Sequence, residues 1–346
     1  MEKQIKLSIS PMDWIKNQGF WIAFLSSVLI STCLYFFNPF GLNHLANKAV
    51  AVAVLMILWW VTEALPLPVV ALVPIVLHPL LQIGSLEETS KSYSNPVIFL
   101  FMGGFIIGLA IQKWNLHKRI AMNIVKLTGT SGNRIILGFI IATGFISMWL
   151  SNTATTMMMF PIALSVITVM KEHEQKGTNF HHFSLALMLV IAYASNIGGM
   201  ATIIGTPPNV AFVGIIEKKY GFTVEFIDWM IVCLPLVLLL LAFLYFILVY
   251  VLYPNGIKRS KLAGDFITDE IQKLGKLSLT EKRVLIIFVT TALLWITKDL
   301  INKLNLFRLD DNMIAIIGAL AMFATPSGTR DGKKKVMILD WEDTSK

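Results

Sequence analysis

Charge and cysteine are what this chain has least of. Only 14% of its 346 residues are Asp, Glu, Lys or Arg, against roughly 25% in a soluble globular protein, which excludes an ordinary water-soluble domain. The two cysteines, Cys33 and Cys233, each sit inside an apolar run, so they offer neither a disulfide framework nor a thiolate metal site. His78 and His117 have no ligand-spaced partners, and neither His-Glu-x-x-His nor Gly-x-Ser-x-Gly occurs. No enzyme, no cofactor and no structural metal is therefore expected. The 29 basic residues outnumber the 21 acidic ones and give a formal charge of +8. They stand in short connectors between apolar runs, where a membrane protein carries them, so nucleic acid is not an expected partner.

What the chain has in their place is apolar length. With 55% hydrophobic residues, it reads as an all-α polytopic membrane protein surrounded by lipid. The apolar runs cover about 20–37, 48–64, 66–83, 95–112, 134–170, 183–217, 227–253, 284–302 and 312–325. The first follows Lys3, Lys6 and Lys16, but no small-residue cleavage pattern comes after it, so it reads as a retained helix. Trp14, Trp21, Trp59, Trp60, Trp114, Trp229 and Trp295 lie near run ends, as an aromatic belt requires. Glu63 falls at a connector between two runs and is expected at the interface.

Two runs are too long for one crossing at 1.5 Å per residue. Run 134–170 is interrupted by Ser151-Asn152-Thr153-Ala154-Thr155-Thr156, which predicts two helical arms meeting at a polar tip. Run 183–217 contains Gly205-Thr206-Pro207-Pro208-Asn209, where two prolines remove two backbone donors and predict a discontinuous helix. If the N-terminus is cytoplasmic and run 134–170 returns to the side it came from, 22 of the 29 basic residues fall inside. The connectors 113–133, 171–182 and 254–283 are then cytoplasmic, and 217–226 is external.

Unsatisfied backbone groups at membrane depth cost several kcal/mol, roughly, unless they line a cavity or meet a ligand. Ser147 and Ser151 lie four apart near a helix end whose free carbonyls suit a small cation. Thr153, Thr155 and Thr156 open the next half-helix, whose free N–H groups suit an anion. Gly205 and Thr206 could add oxygens to the same place. Spacing alone also accommodates a polar turn at the far surface and a proline kink repaired by its neighbours.

The runs Thr62-Glu63-Ala64-Leu65-Pro66-Leu67-Pro68, Asn95-Pro96-Val97-Ile98-Phe99-Leu100-Phe101-Met102-Gly103-Gly104-Phe105, Ser147-Met148-Trp149-Leu150-Ser151-Asn152-Thr153-Ala154-Thr155 and Ile204-Gly205-Thr206-Pro207-Pro208-Asn209 occur in that order. Together they resemble the divalent anion:sodium symporter family, in particular its bacterial dicarboxylate carriers. The resemblance implies an inverted-repeat secondary transporter with a re-entrant hairpin and a discontinuous helix, which moves C4-type dicarboxylates (succinate, malate, fumarate) with Na⁺ across the inner (cytoplasmic) membrane as a homodimer. An exchanger, or a sulfate or citrate carrier of the same fold, is the neighbouring expectation. Carried over by motif, Ser147, Ser151, Asn152 and Gly205 would hold Na⁺, while Ser151, Asn152, Thr153, Thr206 and Pro207 would face the substrate.

The expected layout is an N-terminal segment and first helix (1–47), a first repeat (48–253), a linker (254–283) and the start of a second repeat (284–346). The linker is expected to be a surface stretch or amphipathic helix without chemistry. A second Ser-Asn-Thr hairpin and a second Thr-Pro break, which the resemblance implies, do not occur, so the sequence reads as C-terminally incomplete.

Overall fold

The structure, a computed structural model, describes residues 11–171, 179–305, 308–331 and 334–345. It is a helical membrane protein. Among the described residues, 7 helices are long and apolar enough to cross a bilayer. The chain divides into two compact units, Met1–Asn95 and Pro96–Lys346.

The first unit holds α1 (Pro11–Phe37), α2 (His44–Val61), α3 (Leu67–Val70), α4 (Val73–Leu80) and α5 (Leu86–Tyr93). Asn43 caps α2 by accepting from Ala46 N–H at 2.8 Å, and the Asn47 amide reaches back to the last carbonyls of α1, Leu34 and Tyr35. Phe24 stacks on Trp59 at 4.9 Å between centroids, which joins the two helices further along. The run expected as one span over 66–83 is two short helices, α3 and α4, with prolines at their first turns. Lys48, one turn into α2, is buried and donates to the Leu81 carbonyl at 2.8 Å.

The second unit begins with α6 (Val97–Lys113) and α7 (Leu116–Thr128), followed by α8 (Gly132–Ser147) and α9 (Asn152–Lys171). Next come α10 (Phe180–Gly199), a 3₁₀ turn (Ile203–Gly205), α11 (Pro207–Tyr220) and α12 (Phe226–Phe246), which runs on into a π-turn at Ile247–Leu252. The remainder is α13 (Lys261–Lys273), α14 (Leu279–Lys303), α15 (Asp311–Ala324), an antiparallel hairpin of β1 (Pro326–Asp331) with β2 (Lys334–Met337), and α16 (Trp341–Thr344).

The core lies where α8 packs on α10. Apolar residues on nearly every side of α8, among them Ile135, Ile136, Phe139, Ile140 and Ile146, meet Phe183, Leu187, Val190, Ile191 and Ala194 of α10. In lipid this association comes from close packing rather than from water exclusion, and small residues permit it. A methyl on Gly198 of α10 would run into the backbone of Gly144 in α8. By contrast α12 buries only Phe226 and Val237 among its residues and leaves a wide apolar surface. At its start, Lys298 of α14 sits between Glu225 and Asp311, 3.1 Å from each, while Phe226 N–H donates to Asp311. Trp295, expected in an interfacial belt, is instead buried and stacked on Phe226 at 4.5 Å.

Candidate functional site

The tip between α8 and α9 forms because the sequence supplies a stop and a start within four residues. Ser147 ends α8, Met148 to Ser151 turn, and Ser151 caps α9 by accepting from Ala154 N–H through Oγ at 3.3 Å and from Thr155 N–H through its carbonyl at 2.9 Å. That leaves the N–H groups of Asn152 and Thr153 as the open donors of the helix end. The arm α8 has 16 residues and rises about 24 Å, short of a hydrocarbon layer about 30 Å thick.

The second break lies earlier than the prolines suggest. The helix is lost from Met200 to Thr206, and Pro207 and Pro208 are the first residues of α11. There a missing N–H costs nothing, because the first turn of a helix has no carbonyl to bond with anyway. The unwound carbonyls are instead served by Asn209, a buried side chain whose amide donates to Gly199 at 2.9 Å and to Thr202 at 2.8 Å.

Tip and break meet. The Thr202 hydroxyl donates to the Met148 carbonyl at 2.5 Å, a direct bond between the two irregular stretches. Gly199 lies against Asn152 so closely that a methyl there would overlap Asn152 Oδ1, and a methyl on Gly205 would overlap the Gly199 carbonyl. Ser147, buried, donates to Asn152 Oδ1 at 2.9 Å, and the Asn152 amide donates to Asn196 Oδ1 at 3.0 Å. One turn into α9, the hydroxyls of Thr156 and Ser195 share a 2.8 Å hydrogen bond.

Of the residues expected at a site, Ser147, Ser151, Asn152 and Gly205 fall within this one chain of contacts. Thr153 is exposed beside them. Thr206 is half-buried and Pro207 exposed at the start of α11, and the Thr206 hydroxyl caps nothing. Asn196, Ser195, Thr202 and Gly199 were not anticipated from the sequence. The usable signal was the polar pair Ser195-Asn196 inside an otherwise apolar run, where polar side chains are expensive.

The wall behind the tip is α6. Its Gly104 faces Ile204 of the break, its Gly108 faces Leu150 and the Trp149 carbonyl, and its Gly103 meets the backbone of Ala315 in α15. On another side, the Trp149 ring sits edge-on to Phe288 of α14 at 4.8 Å. Two helix C-termini, of α8 and α10, and two N-termini, of α9 and α11, converge here. Aligned peptide dipoles make the former pair partly negative and the latter partly positive. Hydroxyls, amides and carbonyls are the polar groups of tip and break, with no Lys, Arg, Asp or Glu from 147 to 156 or from 196 to 209. Such an arrangement can hold a small hard cation at the carbonyl-rich ends and an anion at the N–H-rich ends, side by side.

Residues 17–346 match the family described as the sodium:sulfate symporter transmembrane region. The chain is 37% identical, over 323 residues, to the sodium-dependent dicarboxylate transporter SdcS of Staphylococcus saprophyticus subsp. saprophyticus, covering 92% of this chain and 62% of that protein. To the SdcS protein of Staphylococcus aureus (strain USA300) it is 39% identical over the same length and the same shares. The chain thus spans 62% of the length of these curated relatives.

Proposed function

We propose, from the premise that this chain belongs to the sodium:sulfate (divalent anion:sodium) symporter family, that it serves Na⁺-coupled symport of C4-type dicarboxylates across the cytoplasmic membrane. The observation that carries this reading is the meeting of tip and break, which gathers paired helix ends of both polarities around Asn152 with no Lys or Arg in either stretch. A dianion held without Lys or Arg needs another positive charge, and a co-bound Na⁺ supplies it. Ser147 Oγ, Asn152 Oδ1 and the backbone oxygens of Ser151 and Gly205 are the proposed Na⁺ ligands. The open N–H groups of Asn152 and Thr153, with the hydroxyls of Ser151, Thr153 and Thr206, face a substrate carboxylate, and Pro207 fixes where the unwound stretch ends. On this reading the cation and the anion raise each other's affinity, because each neutralises the site for the other. The N-terminus is cytoplasmic and the working assembly is a homodimer.

The test is ligand-dependent stability of the purified chain. Ser147→Ala and Asn152→Ala each remove one oxygen, and interactions with a charged partner are worth about 1.5–3 kcal/mol. The Na⁺ concentration giving half-maximal thermal stabilisation should therefore rise roughly 10- to 100-fold, whereas K⁺ has no effect on either variant. Unchanged Na⁺ dependence in both would remove the cation assignment. The family's description names sulfate and the relatives' names dicarboxylate, so succinate and sulfate are compared as the co-ligand in the presence of Na⁺. Stabilisation by sulfate alone would replace the C4 reading.

A further inference from the structure

Away from the hairpin tip, three basic residues from three elements line one open pocket of about 560 Å³: Lys126 in the last turn of α7, Arg134 in the first turn of α8, and Arg259 just before α13. Among the described residues none of the three takes part in an ion pair. Where a carboxylate is in reach, cations of this unit take it, as Lys113 does with Asp343, Lys118 with Glu270, Arg119 with Glu281, and Lys298 with Glu225 and Asp311. The pocket's lining holds one carboxylate, Asp265, which forms no salt bridge to them. The balance is two unmatched positive charges, and like charges gathered around one hollow repel unless a counter-charge joins them.

The pocket is also shaped and held. Gly132 N–H donates to the Ile257 carbonyl at 3.1 Å and Ser260 N–H to the Thr130 carbonyl at 3.0 Å, so the α7–α8 loop and the linker, which both line the pocket, are stitched together beside it. Ser131 stands at the cap position of α8 without capping it, and the Thr130 and Ser131 hydroxyls that line the pocket donate to no described residue. Beside Lys126, Leu127 is 86% exposed although α7 buries Leu116, Ala121, Met122 and Val125 on its inner side. An outward leucine next to a basic hollow on an amphipathic helix is the pattern of a surface lying in the headgroup layer, acyl chain beside charge.

We propose that this pocket binds a phosphate group, that of an anionic phospholipid headgroup, on Lys126, Arg134 and Arg259, with the Thr130 and Ser131 hydroxyls as further donors. The linker thereby carries a lipid site, rather than serving only to connect α12 with α14.

The experiment places the whole chain in nanodiscs of phosphatidylcholine doped with phosphatidylglycerol and measures bound phosphatidylglycerol by native mass spectrometry. Each Lys or Arg near a membrane surface contributes about fivefold to anionic-lipid affinity, so Lys126→Gln, Arg134→Gln or Arg259→Gln alone should weaken binding about fivefold and the triple change about a hundredfold. Asp265→Asn removes the opposing charge and should tighten binding about fivefold, an outcome that a misfolded variant cannot mimic. Inorganic phosphate is the second arm. Failure of phosphate to displace the lipid supports the headgroup as ligand, whereas full displacement, lost in the triple variant, keeps the phosphate site and reassigns its source to free phosphate. Retention of phosphatidylglycerol by the triple variant at the wild-type level, with no gain from Asp265→Asn, overturns the proposal.

Discussion

The glycine at 199 gives the sharpest handle on the site, because it lets a single methyl displace one defined atom. A Cβ on Gly199 would overlap Asn152 Oδ1 and lie 3.1 Å from its Cγ and 3.3 Å from its Nδ2, where ordinary contact begins at 3.4 Å. The asparagine must swing away, and in doing so it gives up its bonds to Ser147 at 2.9 Å and Asn196 at 3.0 Å. At about 1 kcal/mol net for each hydrogen bond, the arrangement of the proposed Na⁺ ligand loses about 2 kcal/mol, or roughly 30-fold in Na⁺ affinity. The assay follows the unfolding temperature of the purified chain in detergent against Na⁺ concentration, with choline balancing ionic strength, since a ligand that binds only the folded state raises it by mass action. Gly199→Ala should move the Na⁺ midpoint upward by that factor. Gly19→Ala, where a methyl meets nothing within 4 Å, should leave it unmoved. The double variant with Asn152→Ala should resemble Asn152→Ala alone, because the atom the methyl strikes has gone. An unchanged midpoint in Gly199→Ala, or losses that simply add in the double variant, would refute the reasoning.

Other outcomes follow from neighbouring features. Asn209→Ala takes the amide donor from the Gly199 and Thr202 carbonyls, the latter keeping only the Gly205 N–H at 3.3 Å, and should destabilise the fold by about 1–3 kcal/mol, read as a lower unfolding temperature with or without Na⁺. In a background freed of Cys33 and Cys233, a cysteine in place of Ser260 should resist membrane-impermeant reagents in sealed cells, since the basic-residue count puts 254–283 inside; external labelling reverses the orientation. Hydrogen bonds from Lys273 and Lys118 hold the Glu270 carboxyl below the usual carboxylate range. A carboxyl lowered by folding adds stability above its unfolded pKa and loses it as pH falls through the lower folded value. Hydrogen exchange in α13 should therefore quicken, at matched intrinsic rate, as pH drops below about 4.3, and Glu270→Gln should abolish that dependence.

Much of the arrangement could be read from polarity inside long apolar runs. Ser151 to Thr156, the polar stretch of a 37-residue run, stands beside the turn, which is Met148 to Ser151, with Asn152 to Thr156 already in α9, and Ser147, Ser151 and Asn152 do share one cluster of contacts with the break. The break itself was misplaced by several residues. Prolines were read as interrupting a helix, yet at its first two positions they begin one, and the unwinding sits where Gly198 and Gly199 allow backbones to touch. Helix α7 was hidden inside a basic connector, since charge counting registers Lys118, Arg119 and Lys126 but not the buried Leu116, Ala121, Met122 and Val125 on the same stretch. Trp295 lies within α14 rather than at a boundary, where its ring stacks on Phe226 and its indole N–H donates to the Asp311 carbonyl, long-range contacts that its place in an apolar run does not reveal. Asn196 and Thr202 make their decisive bonds to residues 44 and 54 positions away, and such pairings come from tertiary packing that no local pattern encodes.

Asn209 has a consequence for how fast a ligand could be taken up. Its amide already occupies carbonyls that unwinding exposes, so the helix is open before any ion arrives and its unwinding is not a step of binding. A site preorganised in this way spends little conformational entropy on association. Binding at the break should then be rapid and single-phased, with a small heat-capacity change, and its rate should follow ligand concentration without reaching a plateau set by a slow opening step.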